Sequence, residues 1–230
     1  MFGQQIAPTD YDLRFRCFGF PVRVNPWFWL VSAMLYWSEK LDYTLLGIVA
    51  AFVSILVHEL GHAFANRYYG GRSEIVLYYF GGYATRTVNP SRLGNILIFA
   101  AGPVAGLLLG GTVWLLARQF PQQILGRSEH RYHFVRIMLL FNIYWSLMNF
   151  LPVWPLDGGQ IAHEVIGRFR AFDAWVLTLK LSILVCAGIF SWCAFEYAQR
   201  GDGDRFLMIM FGLLGVQNFL TLQASTRGRW

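Results

Sequence analysis

Long runs without charged residues constrain this chain more than any other feature of its sequence. The run at 45–57 contains thirteen residues and no charged side chain, and charge-free runs approaching 20 residues recur several times. About 20 apolar residues in a helix are enough to cross the roughly 30 Å hydrocarbon core of a bilayer. These runs therefore predict membrane spans, and they argue against a soluble protein with a large apolar core.

The overall composition agrees with a membrane protein. Of the 230 residues, 56% are hydrophobic and 14% are charged, and the mean hydropathy is +0.42. A soluble domain carries about 25% charged residues. The net charge of +6 comes mostly from arginines, which lie between the apolar runs and form no continuous basic patch. We interpret them as membrane-orienting charges, and we expect no nucleic-acid partner.

The apolar runs predict an all-α polytopic membrane protein with about six transmembrane helices. Between the second and third spans, residues 74–88 are rich in β-branched and aromatic residues and are divided by Gly81-Gly82. This pattern is typical of two short strands, so we also expect a short membrane-associated β segment there. The predicted spans lie at about 27–37, 43–69, 93–116, 134–150, 174–197 and 206–222.

Two further segments have local patterns of interest. Residues 15–24 alternate too irregularly for one assignment, and either a short strand or an interfacial segment fits them. In the third span, Gly102, Gly106 and Gly110 are spaced four residues apart. Small residues at this spacing allow close contact between helices, so we interpret these glycines as packing positions.

Basic residues predict the orientation of the spans. With the N-terminus in the cytoplasm, the inner segments hold eleven basic residues and the outer segments hold seven. The positive-inside rule therefore favours cytoplasmic termini, and spans two and four then both end on the cytoplasmic side. The inner residues are Arg14, Arg16, Arg23, Arg67, Arg72, Arg86, Arg92, Arg168, Arg170, Arg227 and Arg229, and the outer residues are Lys40, Arg118, Arg127, Arg131, Arg136, Arg200 and Arg205.

The pentad His58-Glu59-Leu60-Gly61-His62 places two imidazoles and a carboxylate near the end of the second span. On a helix, His58 and His62 lie one turn apart on one face, so both can bind one metal ion. Such strings also arise by chance on solvated helix faces, but the apolar run before this one removes that explanation. Ionisable groups inside a span are functional candidates. The pattern predicts the zinc site of a hydrolase.

A catalytic zinc ion takes three protein ligands and keeps a fourth position open, so a third ligand is needed. Asp157 is best placed, because it follows a proline-broken segment after the fourth span and precedes two glycines. An Asp-Gly pair is also an ordinary turn. His163 and Glu164 lie past the same span, whereas His130 and His133 lie at its outer end. The cytoplasmic depth shared by spans two and four favours Asp157.

Two side chains have predicted catalytic roles. Glu59 would act as the general base that takes a proton from water and later passes it to the leaving amine. Asn149, near the end of the fourth span, can polarise a carbonyl or hold an oxyanion. An asparagine that hydrogen-bonds across helices explains Asn149 equally well.

The chain resembles the site-2 protease family of intramembrane zinc metalloproteases. The pentad at 58–62 and the segment 149–158, which reads Asn-Phe-Leu-Pro-Val-Trp-Pro-Leu-Asp-Gly, look like the two-part signature of that family. Residues 19–26 and 101–103 are similar to its N-terminal segment and third core span, so the resemblance covers about 19–165. It implies zinc held by His58, His62 and Asp157, Glu59 as the base, and Asn149 as the partner of a substrate carbonyl or oxyanion.

The sequence also departs from the family pattern. Asn25 stands where many relatives have histidine, and Gly106 stands near where they often have asparagine, so accessory roles at these positions are not carried over. No PDZ domain interrupts the chain and no CBS pair follows it, so we expect a compact form. The resemblance implies that membrane-associated strands steer an unwound substrate, and we predict that 75–83 presents an edge to substrate backbone. The residues assigned to substrate binding are Ile75, Leu77, Tyr79, Gly81 and Gly82.

The predicted function is that of an intramembrane zinc endopeptidase, which cuts within or near the transmembrane segment of a membrane protein in regulated proteolysis. Its expected partners are that substrate and the lipid bilayer of a bacterial inner or plasma membrane. We expect a single membrane-embedded metalloprotease domain over 1–230, with a core at about 19–165 and a C-terminal pair of spans at about 174–222.

Three alternatives stay open, of which the first is also an enzyme and the other two belong to different functional classes. The first is a membrane zinc hydrolase that acts on a small or lipid-like amide. The second is a non-catalytic binding protein whose metal staples its spans, but such a site closes with a fourth protein ligand and does not need Glu59. The third is a transporter, although inverted repeats are not apparent in the sequence.

Overall fold

The computed structural model describes residues 7–79, 81–124, 128–201 and 204–227. The chain forms two compact units, Met1–Met148 and Asn149–Trp230. The predicted strand pair over 74–88 includes Phe80, and the orientation argument includes Arg127 and Arg229. These three residues lie outside the described ranges. The expectation of a single domain over the whole chain stays a prediction.

The first unit combines a small sheet with helices. Its strands are β1 (Leu13–Cys17), β2 (Phe20–Val24), β3 (Ile75–Tyr78) and β4 (Gly81–Ala84). Its helices are α1 (Pro26–Leu35), α2 (Leu41–Tyr68), α3 (Arg92–Gln119), α4 (Pro121–Ile124) and α5 (Glu129–Leu139), and α5 continues through a π-helical turn (Leu140–Trp145) into α6 (Ser146–Asn149). The second unit contains α7 (Asp157–Phe169), α8 (Ala174–Arg200) and α9 (Arg205–Arg227).

The sheet of the first unit has the strand order β1-β2-β3-β4. β1 and β2 form an antiparallel hairpin, β2 and β3 are parallel, and β3 and β4 are antiparallel. Alternation along the strands places Val22, Val24 and Leu77 on one face, where they are buried with Leu56 and Leu60 of α2. One face of the sheet is therefore fixed against the helix that carries the histidine pair.

The expected all-α class needs a correction, because residues 15–24 lie in the β1–β2 hairpin. The sequence of this segment fits either a strand or an interfacial segment. It does not show which residues are buried, because their burial depends on α2 and on the distant strand β3. The two strands expected between the second and third spans are present as β3 and β4. Their association with a membrane stays a prediction.

Four helices among the described residues are long and apolar enough to cross a membrane, namely α2, α3, α8 and α9. They correspond to the predicted spans two, three, five and six, so the chain is an integral membrane protein. The first predicted span is the ten-residue α1, which is about 15 Å long at 1.5 Å per residue. The fourth is divided by the π-helical turn between α5 and α6. A count of six spans stays a prediction.

The second unit is built on the antiparallel pair α8 and α9. Gly201 ends α8 with a φ of +69°, a left-handed conformation that glycine adopts without strain. Before this pair, residues 150–156 form an irregular segment that ends where α7 begins at Asp157. Pro152 and Pro155 lack the backbone N–H that a regular helix needs, which explains why the helix stops there.

Candidate metal centre

The two histidines of the pentad converge in the structure. His58 and His62 are buried on α2, and their Nε2 atoms lie 3.2 Å apart. His62 Nδ1 lies 2.8 Å from the carbonyl oxygen of Ile98 on α3. A carbonyl only accepts, so Nδ1 carries the proton and Nε2 of His62 offers its lone pair towards His58.

This spacing fits a zinc ion held between the two rings. Zinc binds histidine nitrogen at about 2.0–2.1 Å in a tetrahedral arrangement, so two such nitrogens lie roughly 3.3 Å apart. The observed separation of 3.2 Å is close to that value. When His58 also carries its proton on Nδ1, both Nε2 lone pairs face the space between the rings, and a cation there would be attracted to both. His58 and His62 are therefore suited to bind one metal ion together.

The His62 ring occupies space beside Gly102 of α3 that a larger side chain at this position would fill. A Cβ atom at Gly102 would meet Nε2 of His62 most closely and would lie 2.5 Å from Cε1 and 2.8 Å from Cδ2. On the facing helix, a Cβ atom at Gly61 would meet the backbone carbonyl of Ala101. The interpretation of Gly102 as a packing position is therefore incomplete, because this glycine also shapes the metal-binding face of His62.

Glu59 lies beside the edge strand of the sheet. Its side chain is buried, and a Cβ atom at Gly82 of β4 would lie 2.9 Å from its Cγ atom. The pKa of Tyr78 on β3 is raised, mainly because the side chain is buried. The nearby Tyr83 and the negative charge of Glu59 contribute smaller increases. The carboxylate of the pentad therefore lies where β4 crosses α2.

The structure separates the five residues assigned to substrate binding into two groups. Ile75 and Leu77 are fully buried in β3, which is paired on both sides by β2 and β4. The backbone of Ile75 and Leu77 is therefore not at a free sheet edge. The prediction that these two residues present an edge to the substrate is wrong. Gly81 and Gly82 belong to β4, the last strand of the sheet order. Tyr79 lies in the turn between the strands with a φ of +44° and an exposed side chain.

The second unit contains the other two predicted site residues. Asn149 is the last residue of α6 and is buried. Asp157 is the first residue of α7 and is also buried. A Cβ atom at Gly159 would lie 2.5 Å from the backbone nitrogen of Trp154, so the first turn of α7 packs against the irregular segment before it. The glycines after Asp157 therefore permit this close backbone approach.

The remaining histidine candidates have other surroundings. His130 pairs with Asp42 and stacks on the Tyr43 ring with the ring centroids 5.0 Å apart. In the second unit, the His163 ring lies edge-on to Trp175, with the ring centroids 5.9 Å apart. These contacts explain the two histidines without a metal ion.

The two departures from the family pattern have structural explanations. Asn25 accepts a hydrogen bond from the backbone N–H of Trp27 through Oδ1 and so caps α1, while its Nδ2 donates to Asp12. A Cβ atom at Gly106 would meet the hydroxyl of Ser146. Asn25 therefore holds the start of α1, and Gly106 makes a helix contact as its spacing predicts.

Sequence reasoning missed two contributors to the metal centre. The carbonyl of Ile98 orients His62, but a backbone acceptor leaves no signature in residue type. Gly102 is marked by its spacing from other glycines and by the similarity of 101–103 to the third core span of the family, and neither shows which side chain of a neighbouring helix it faces. A search for glycines opposite the pentad would have found it only with the α2–α3 register in hand.

Comparison with known proteins identifies relatives of this chain. The Peptidase M50B-like family matches residues 27–205. The zinc metalloprotease MJ0392 of Methanocaldococcus jannaschii is 26% identical over 218 residues, which are 93% of this chain and 57% of that protein. Stage IV sporulation protein FB of Bacillus subtilis is 27% identical over 182 residues, which are 76% of this chain and 58% of that protein. The chain thus spans little more than half the length of these curated relatives.

A solved structure has a similar fold. The site-2 protease from Methanocaldococcus jannaschii superposes with a TM-score of 0.60 at 20% identity, covering 92% of this chain and 95% of that chain. The likeness extends the sequence match to the fold, and the resemblance to site-2 proteases is confirmed. Because the family match at 27–205 takes in well over half of the sequence, the chain belongs to the Peptidase M50B-like family.

Proposed function

We propose that this protein is an intramembrane zinc endopeptidase that hydrolyses a peptide bond within or near the transmembrane segment of another membrane protein. The observation that carries the proposal is the convergence of the two Nε2 atoms at 3.2 Å, with Glu59 beside the edge strand. Membership of the Peptidase M50B-like family supports it, and so does the similarity to the zinc metalloprotease MJ0392.

The proposed metal site consists of His58, His62 and Asp157. Two imidazoles and one carboxylate form a donor set that zinc prefers, and three protein ligands leave one position open. Asp157 is supported by its place at the start of α7, where the following glycines bring the helix close to the irregular segment. A structural zinc site would close with a fourth ligand, so this donor set favours catalysis.

The chemistry divides between the metal and the side chains around it. When bound, a zinc ion supplies Lewis-acid polarisation of the scissile carbonyl and makes water more acidic. The Glu59 carboxylate then takes a proton from the attacking water and passes it to the leaving amine. The Asn149 side-chain amide donates a hydrogen bond to the carbonyl oxygen as negative charge develops there.

Substrate recognition is proposed to use strand β4. Its outer edge has no partner strand among the described residues, so its backbone groups can pair with an extended peptide. Gly82 lies against Glu59, so a peptide added at β4 runs next to the proposed base. A transmembrane helix must unwind before its peptide bonds become accessible, and pairing with β4 compensates for the hydrogen bonds lost on unwinding.

The orientation and biological role follow as further parts of the proposal. An excess of arginines on the segments next to the pentad supports a cytoplasmic active site and cytoplasmic termini. The name of the Bacillus subtilis relative assigns that protein to a stage of sporulation, which supports regulated proteolysis in a bacterial inner or plasma membrane as the role of this chain.

The test uses the wild-type chain and the variant Glu59→Gln, purified in detergent. We expect both to bind one equivalent of zinc, and only the wild type to cleave a single-span membrane protein. Chelation should abolish wild-type cleavage, and added zinc should restore it. Glu196→Gln is a matched control, because Glu196 forms an exposed i,i+4 pair with Arg200 on α8 and should not affect cleavage.

Three outcomes would contradict the proposal. Cleavage that survives Glu59→Gln would show that Glu59 is not the general base. A wild-type protein that binds no zinc would contradict the proposed metal site. Hydrolysis of lipid-like amides with no cleavage of any membrane protein would favour the alternative hydrolase. Mass analysis of the products identifies the bond that is cut.

A further inference from the structure

The irregular segment before Asp157 is held at Trp154 by two transmembrane helices of the second unit. The backbone N–H of Trp154 donates to the Ser182 hydroxyl on α8 at 2.9 Å. The backbone carbonyl of Trp154 accepts from Nδ2 of Asn218 on α9 at 2.7 Å. Both polar groups of one residue are thus satisfied from two different helices, in the stretch where Pro152 and Pro155 supply no N–H.

The two side chains are themselves fixed. Ser182 is fully buried, and its hydroxyl also donates to the carbonyl of Thr178 one turn earlier at 2.8 Å. Asn218 is 1% exposed, and its Nδ2 also donates to the carbonyl of Leu214 at 2.8 Å. The Trp154 ring packs edge-on against Trp175, with centroids 4.9 Å apart. Neither polar side chain can therefore change its position without losing a second bond.

Backbone contacts couple the position of Trp154 to that of Asp157. The backbone N–H of Leu156 donates to the carbonyl of Val153 at 2.8 Å, which closes a tight turn. A Cβ atom at Gly159 would lie 2.5 Å from the nitrogen of Trp154, so the first turn of α7 rests on this turn without a gap. A displacement of Trp154 therefore displaces the start of α7.

Polar groups in transmembrane helices are costly and are retained for a purpose. Apart from these bonds, α8 and α9 expose mostly apolar side chains, among them Leu184, Phe195, Leu213 and Phe219. The buried hydrogen bonds of Ser182 and Asn218, together with the ring contact of Trp175, connect α8 and α9 to Trp154 in the segment that carries the signature.

We infer that Ser182 and Asn218 are positioning residues that set the orientation of Asp157 through the backbone of Trp154. This inference rests on the proposed role of Asp157 as a zinc ligand. Partners that orient a metal ligand typically contribute 10–100-fold to metal affinity. The effect should appear in zinc binding and in kcat, and KM for the substrate should change little, because neither residue belongs to the strand proposed to bind the peptide.

The experiment measures zinc affinity by competition with a chelator, together with cleavage, in the full-length protein. Asn218→Leu, which keeps the side-chain volume and removes the donor, should lower zinc affinity by roughly 10–100-fold and lower kcat. Ser182→Ala should have the same effect and is a smaller change, which tests the inference if Asn218→Leu does not fold. Thr221→Val is the matched control, because the Thr221 hydroxyl donates to the carbonyl of Gln217 on its own helix.

A double-mutant comparison separates positioning from general destabilisation. Asp157→Ala should lower zinc affinity, and Asn218→Leu should cause no further loss in that background, because its effect acts through Asp157. Additive losses, or wild-type zinc affinity in both Asn218→Leu and Ser182→Ala, would overturn the inference. Undiminished zinc affinity in Asp157→Ala itself would instead overturn the proposed ligand set.

Discussion

Replacing Gly102 by alanine tests whether the α2–α3 contact controls the metal centre. The new Cβ atom would lie 2.5 Å from Cε1 of His62 and 2.8 Å from Cδ2. Ordinary contact between carbon atoms needs about 3.5 Å, so the ring must move by about 1 Å. Separation of the two helices would make room only at the cost of the close packing of Gly61 against the backbone of Ala101.

A shift of this size is large for a metal site. Ligand distances in zinc sites are held to within about 0.2 Å, so a ring displaced by about 1 Å no longer reaches the ion in the same geometry. We expect Gly102→Ala to lower zinc affinity by at least about 10-fold, the lower end of the effect of losing an orienting partner. Cleavage should fall accordingly.

The assay compares Gly102→Ala with a substitution of the same kind on the same helix. Gly111 of α3 has nothing within 4 Å of the place its Cβ atom would take. Gly111→Ala should therefore bind zinc as the wild type does, and the helix should gain slightly in stability. Zinc content after dialysis against a chelator and the temperature of unfolding are measured for all three proteins. Equal zinc affinity in Gly102→Ala and Gly111→Ala would refute the argument.

Two further predictions concern the edge strand and the N-terminal ion pair. Gly82→Ala should reduce kcat while zinc binding is kept, because its Cβ atom would lie 2.9 Å from Cγ of Glu59. Gly111→Ala should again be silent, because nothing lies within 4 Å of its Cβ position, and equal cleavage by both variants would contradict this. Burial disfavours ionisation of Asp12, but hydrogen bonds from Thr9 and the bond and charge of Arg23 outweigh it and lower the pKa of Asp12 from 3.8 to about 2. Ionised Asp12 therefore stabilises the fold above about pH 4, by about 1–2 kcal/mol, and this stabilisation is lost as the pH falls towards 2. At pH 7 the wild type should unfold at a higher temperature than Asp12→Asn, and the gap between the two unfolding temperatures should narrow from about pH 4 downwards. A gap that does not change with pH would contradict this explanation.

The sequence predicted the parts of the molecule that depend on local patterns. Charge-free runs identified α2, α3, α8 and α9, and the pentad identified a histidine pair that converges in the structure. The parts it did not predict depend on contacts between distant segments. The hairpin at 15–24 is recognisable as strands only once β3 lies beside it, and Gly102 is recognisable as part of the site only once α3 lies against His62.

The limits of the span prediction have a similar cause. Hydropathy measures composition and does not show where a helix begins or ends, so the ten-residue α1 and the divided α5–α6 region both resembled full spans. Asn218 and Ser182 carry no signal of their role in the sequence, because a single polar residue in a span does not reveal its partner. Their partner is a backbone group, which residue type cannot indicate.

The parallel pairing of β2 with β3 has a consequence for how the protein is made. β2 ends at Val24 and β3 begins at Ile75, and α1 and α2 lie between them. During synthesis, the first hairpin emerges with an unpaired edge and can complete the sheet only after α2 has been made. Synthesis of the helix that carries the pentad therefore comes before completion of the sheet over it, so the candidate metal centre can be assembled only once α2 has been made.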